Sequence, residues 1–218
     1  MNKKLILTSL MGILISGCFY QTPKIPSQKI DTNGSILSDL NATQEVKEAP
    51  KFIKDFSALD KYLGKNAGKD CSGFVFLANK EYENFFFEPE DVSKNYDKKG
   101  RRSKAIYNLF KRNDKISQNF AKSGDLIFFA NTLGRGAQSN KDKENITHVG
   151  IITQVFKSGR VEFIHNLNGV IKKGYMNLGE KNRHKKDGKV QNSYIIKCKK
   201  GVSNCLTSQR FAGFGEVW

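Results

Sequence analysis

Between residues 125 and 165 the chain carries three apolar runs that leave little choice of fold. They are Asp125-Leu126-Ile127-Phe128-Phe129, Val149-Gly150-Ile151-Ile152-Thr153-Gln154-Val155-Phe156 and Val161-Glu162-Phe163-Ile164-His165. Each is short, rich in β-branched and aromatic residues, and bounded by turn formers, the pattern of a buried strand. Only Lys157-Ser158-Gly159-Arg160 separates the last two, which therefore read as a hairpin. Residues 194–197 and 211–218 are further strand candidates. Upstream the spacing becomes helical. Phe52, Phe56, Leu59 and Tyr62 would share one side of a helix over 52–62. Phe74, Leu77 and Ala78 recur at helical spacing after Cys71, so a helix should begin at or near Cys71. Ile106, Leu109 and Phe110 would face inward from a helix over 103–112. Residues 83–102 are mixed and charged, and 131–145 form a loop rich in Gly, Ser and Lys. Helices first and strands later predict an α+β domain with an antiparallel sheet.

The start of the chain has a different character. Lys3 and Lys4 precede an apolar run over residues 5–15, too short for a permanent membrane span. It ends in Ile15-Ser16-Gly17-Cys18, which resembles the lipobox of bacterial lipoproteins. The resemblance implies a signal peptide over 1–17 and lipid on Cys18. Residues 18–50 then form a polar tether, and 51–218 a single folded domain. The expected address is the periplasm, and Phe19 after Cys18, where an Asp is absent, favours the outer membrane.

The chain has a formal charge of +16, which falls by the charges of Lys3 and Lys4 to +14 once residues 1–17 are removed. Such a charge would suit nucleic acid, but export excludes that partner. Anionic wall peptides and lipid head groups are the remaining counter-charges. Four cysteines must also be placed. Lipid takes Cys18, and a disulfide between Cys198 and Cys205 would close a turn-rich loop. Cys71 is left as a lone thiol in an oxidising compartment, where that is unusual.

Four sequence blocks carry a resemblance to a known family. Gly68-Lys69-Asp70-Cys71-Ser72-Gly73-Phe74-Val75 resembles the nucleophile motif of the NlpC family of cell-wall cysteine peptidases. Ser123-Gly124-Asp125-Leu126 is similar to its Gly-Asp-Leu strand, Thr147-His148-Val149-Gly150 to its histidine strand, and Phe163-Ile164-His165 to its third catalytic position. The resemblance implies a papain-like fold, with the helix of the nucleophile packed on the sheet that bears the histidines. Cys71 would be the nucleophile, His148 the base and His165 the residue that orients it. Tyr62 would be the substrate-positioning tyrosine, although its spacing to Cys71 is short and packing explains it equally well. The implied substrate is a peptidoglycan stem peptide cut between D-glutamate and diaminopimelate, with no cofactor and a monomeric chain.

The chemistry is reasonable without the name. A thiol attacks an amide as a thiolate, and a helix N-terminus with a neighbouring imidazole favours that form. A two-residue turn at Ser158-Gly159 would pair Ile152 with His165, leaving His148 and His165 on one face but four residues apart. That is about 13 Å along the strand, so a bulge, a wider turn, or substitution by Asn166 or Asn168 is required. A metal site is disfavoured because the chain has no Cys-x-x-Cys or His-x-x-x-His pair. A non-catalytic wall-binding module, a CHAP-type amidase and an acyl transferase remain as alternatives.

Overall fold

The computed structural model describes residues 54–134, 137, 139–198 and 203–217. The expected signal peptide over 1–17, the expected lipid site at Cys18, the expected tether over 18–50, and Phe52 lie outside these residues. A 3-10 helix, Phe56–Tyr62, comes first, with Phe56 and Leu59 buried. Helix α1 follows at Cys71–Glu81, then α2 at Pro89–Ser93 and α3 at Arg102–Arg112. The strands are β1 Ile116–Ser117, β2 Leu126–Ala130, β3 Ile146–Val155, β4 Arg160–Leu167, β5 Val170–Asn177, β6 Lys185–Lys186 and β7 Lys189–Val190. A short helix, α4 Thr207–Arg210, leads into β8 Phe211–Gly215. Six strands form one antiparallel sheet in the order β1-β8-β2-β3-β4-β5, and β6 and β7 make a separate hairpin. This is the α+β, papain-like arrangement expected.

Alternation along β2 explains the layering. Leu126 and Phe128 enter one core with Phe74, Val75 and Ala78 of α1 and Ile106 and Phe110 of α3. Ile127 and Phe129 face the other way, into a second cluster with Ile152, Phe163, Met176 and Ile195. A strand buried on both faces has no polar side to show, so β2 reads as an unbroken apolar run.

Two expectations change. Residues 194–197 do not form a strand; Tyr194 makes one isolated bridge to Leu206. Ser193 N–H donates to Tyr175 O and its Oγ accepts from Tyr175 N, but Ile195 N–H donates to Cys205 O, so the chain leaves β5 for the segment before α4 and does not continue along the sheet. Strand β5 itself was not anticipated. The charged stretch 83–102 contributes α2 and the approach to α3.

Candidate active site

Asp70, Cys71, Ser72 and Gly73 each have a structural task. Asp70 is the N-cap of α1, with its carboxylate accepting from Gly73 N at 2.7 Å and from Ser72 Oγ at 2.8 Å. Cys71 is the first helical residue, where backbone N–H groups have no partner within the helix. Gly73 admits the preceding loop, because a Cβ there would sit 1.8 Å from Gly68 O. That loop is unusual in its own backbone: Gly68 and Lys69 are both left-handed, at φ 73° and 66°. A non-glycine residue in that region costs energy that the surrounding fold must offset, a feature concentrated at functional sites.

The thiol meets the sheet where β3 lacks a partner on one side. The β3–β4 ladder ends at Ile151 opposite Ile164, while β3 continues along β2 down to Ile146. Cys71 Sγ lies 3.9 Å from Thr147 O, to which it donates, and the Val149 backbone N–H acts to favour the ionised thiol. Both backbone groups flank His148. Cys71 and His148 line one cleft of about 560 Å³, together with Lys69, Tyr96, Arg101 and Asn168.

The two histidines meet through two register shifts. Phe156 N donates to Arg160 O, so the turn contains three residues, Lys157 to Gly159, with Gly159 left-handed at φ 76°. A bulge between Ile152 and Gln154 adds a second shift. Ile152 therefore pairs with Phe163 and Ile151 with Ile164, which brings His165 beside Gly150 just beyond the ladder's last pair. A Cβ on Gly150 would stand 3.3 Å from His165 Cβ. His148 is then two residues along, not four, and diagonal neighbours are within reach of long side chains. His148 Nε2 and His165 Nδ1 are 2.7 Å apart, with the rings nearly perpendicular. Asn166 is occupied elsewhere: its amide donates to Ala67 O and its carbonyl accepts from Gly169 N.

Burial sets the protonation of the group. His148 and His165 are 5% and 2% exposed. Desolvation lowers His148 to about 4, against a smaller upward pull from Asp70. Desolvation, then His148 and Lys172, hold His165 well below its ordinary 6.5. Desolvation raises the Cys71 thiol to about 11, aided by the charge of Asp70 and opposed by N–H groups of Val149, Ser72 and Cys71. Burial thus favours a neutral thiol and a neutral imidazole at neutral pH.

Tyr62 is placed differently from the expectation. It does not line the cleft; its hydroxyl donates to Glu81 Oε2 at 2.8 Å, and its ring packs edge-on to Phe74. Tyr96, 42% exposed, and Arg101 from the stretch between α2 and α3, and Arg102 at the start of α3, do line it. Sequence reasoning missed these because nothing in their spacing links them to Cys71. Arg101 donates to Asn145 Oδ1 at 2.7 Å, fastening the loop after β2 to the start of α3. Cys198 and Cys205 are disulfide-bonded and Cys71 is free. Among the described residues, no three His, Cys, Asp or Glu side chains are grouped to hold a metal ion.

A lone thiol at a helix start, against a strand whose histidine is braced by a second one, defines the papain-like class of α+β proteins. A model of the NlpC/P60 family matches residues 61–189, and the chain belongs to that family, whose members are generally peptidases of the cell wall. No curated protein and no solved structure matches the chain.

Proposed function

We propose that the chain is a peptidoglycan endopeptidase that cleaves an amide of the stem peptide, between D-glutamate and diaminopimelate, through a thioester on Cys71. The observation that carries this reading is the thiol at the first residue of α1, hydrogen-bonded to the carbonyl of Thr147 just before His148, itself joined to His165. His148 Nδ1 accepts the thiol proton as Sγ attacks the carbonyl carbon. His148 Nε2–H donates throughout to His165 Nδ1, which fixes the tautomer. The depressed basicity of His165 keeps it neutral and able to accept.

Free N–H groups at the start of α1, that of Cys71 included, face the developing oxyanion. Collapse of the tetrahedral intermediate breaks the C–N bond, and the leaving nitrogen takes the proton from His148. Water, deprotonated by His148, then attacks the thioester and releases the carboxylic acid and the Cys71 thiol. Because thiol and imidazole rest neutral, the proton moves during attack, as in general-base catalysis.

Lys69, Arg101 and Arg102 give the cleft a cationic lining suited to carboxylate-bearing peptides. Asp70, the one acidic residue lining it among the described residues, is committed to the helix cap. A lipid anchor on Cys18 in the outer membrane, with a periplasmic domain, is part of the same reading. It rests on Ile15-Ser16-Gly17-Cys18 and the polar stretch that follows.

The test is mass analysis of muropeptides incubated with wild type and Cys71→Ala in parallel. Wild type should release new fragments and Cys71→Ala none. Identical products from both, or none from wild type, would overturn the hydrolase reading.

A further inference from the structure

His148 sits near the start of β3, where the sheet holds the chain least. Residues 146–150 run along β2 beyond the last pair of the β3–β4 ladder, Ile151 with Ile164. The ladder with β2 is itself interrupted there. Phe129 pairs with His148 and Ala130 with Ile146, so Thr147 is bulged between the two pairs. A bulge re-aims the side chains next to it, and the next residue is His148.

Asn131 and Thr132, the two residues after β2, grip this segment. Asn131 N–H donates to Asn145 O at 3.0 Å. Its side-chain amide is used at both ends: Oδ1 accepts from Asn145 Nδ2, and Nδ2 donates to Asp142 O at 2.7 Å. Thr132 N donates to Thr147 Oγ1 at 2.7 Å, and the two hydroxyls lie 2.8 Å apart. Asn145 is secured from its other side by Arg101, whose guanidinium donates to Asn145 Oδ1. Asn131 is 4% exposed and left-handed at φ 56°. Asn is one of the few side chains that tolerate this backbone, and a conformation so held points to a functional constraint. Among the described residues, Thr132 and Thr147 line the cleft and Asn131 does not. Asn131 therefore meets the strand and not the substrate.

We propose that Asn131 is a positioning residue for the catalytic pair, clamping the start of β3 through Asn145 so that His148 meets Cys71 and His165 in one geometry. This rests on the reading of Cys71 and His148 as the hydrolytic pair. Both contacts of the pair converge on the clamped segment. The thiol donates to Thr147 O, in the bulge itself, and His148 Nε2 lies 2.7 Å from His165 Nδ1. A misplacement of about 1 Å between reacting groups can cost about 10²-fold in rate, so a bulge left to shift would be felt in catalysis before it was felt in binding.

Asn131→Gly keeps a residue that accepts the left-handed backbone and removes the side-chain bridge. In the full-length chain acting on a stem tripeptide, it should lower kcat at least about 10-fold and leave KM within about 2-fold. Asn145→Ala should also lower kcat, and the double variant should be no slower than Asn145→Ala alone, because both changes break one bridge. Ring-nitrogen NMR adds a readout that needs no turnover, in a chain with three histidines. His148 should carry its proton on Nε2 in the native chain and populate both tautomers in Asn131→Gly. An unchanged kcat, a loss of kcat/KM carried by KM, additive losses in the double variant or an unaltered tautomer would each overturn the proposal. So would a loss of kcat no larger than the unfolded fraction seen by circular dichroism. A tautomer that responds to Asn131→Gly in a native chain without turnover would refute the hydrolase reading and leave the clamp on His148 standing.

Discussion

At the scale of single residues, the site depends on what burial does to three titratable groups. His148 at about 4 is already unprotonated at neutral pH, so activity should not fall until well below the ordinary histidine value. The expected kcat/KM profile rises from acid pH with a midpoint clearly under 6.5 and stays level to at least pH 8. A midpoint at or above 6.5 would contradict a desolvated His148. Asp70 acts on the thiol from the cap position, and its charge pushes Cys71 up. Asp70→Asn removes that charge while keeping a good N-cap residue. Stability should therefore change little, while Cys71 becomes more acidic and alkylates faster with iodoacetamide at mildly alkaline pH; slower alkylation would contradict this. His165→Ala removes the acceptor that fixes the tautomer of His148. It should lower kcat by about 10²-fold or more with KM nearly constant, judged against the cost of losing an orienting group elsewhere. An unchanged kcat would remove His165 from the mechanism.

At the scale of elements, the sequence was most legible where one local rule settles the outcome. The start of α1 at Cys71, the α3 periodicity and the β3–β4 hairpin follow from spacing, caps and turns. The distance between the histidines did not, because it depends on register. One extra turn residue and one bulge moved β4 by two positions, and neither can be read from an apolar pattern that both registers satisfy. Strand β5 was missed for a different reason. Its two consecutive lysines, Lys172 and Lys173, obscure the alternation, yet Asn168-Gly169 before it is a strong two-residue turn signal. Leu167 pairs with Val170 across that turn, with both turn residues left-handed. Asp187-Gly188 between β6 and β7 repeats the device. Tyr96, Arg101 and Arg102 reach the cleft only through tertiary packing, which no local pattern encodes. The Gly68–Gly73 contact gives an element-scale test. Gly73→Ala places a methyl group where Gly68 O stands, so the loop must move away from the start of α1. A destabilisation of about 1–3 kcal/mol is expected from such overpacking, visible as a lower denaturation midpoint. An unchanged midpoint would mean that the loop adapts freely.

At the scale of the whole molecule, the two buried histidines tie the stability of the domain to the pH around it. Both have folded-state values below the ordinary 6.5 because burial disfavours their charged forms. Below about pH 6.5 the unfolded chain takes up protons that the folded one refuses, so stability falls as the pH falls. The slope should reach about 1.4 kcal/mol per pH unit for each histidine while the unfolded state is protonated and the folded state is not. For His148 the loss should level off near 4, where the folded protein also takes its proton. Asp125 works in the other direction. Desolvation raises its carboxyl above the ordinary 3.8, so the folded state favours its protonation and gains relative stability on the acid side. The histidine contribution is therefore clearest between about pH 5 and 6.5. Urea denaturation across that interval should show stability rising with pH, and His165→Asn should flatten the rise by up to one proton's worth. A flat profile in the wild type would mean that the pair titrates while folded. The neutral resting state, and with it proton transfer from Cys71 to His148 during attack, would then have to be abandoned in favour of a preformed ion pair.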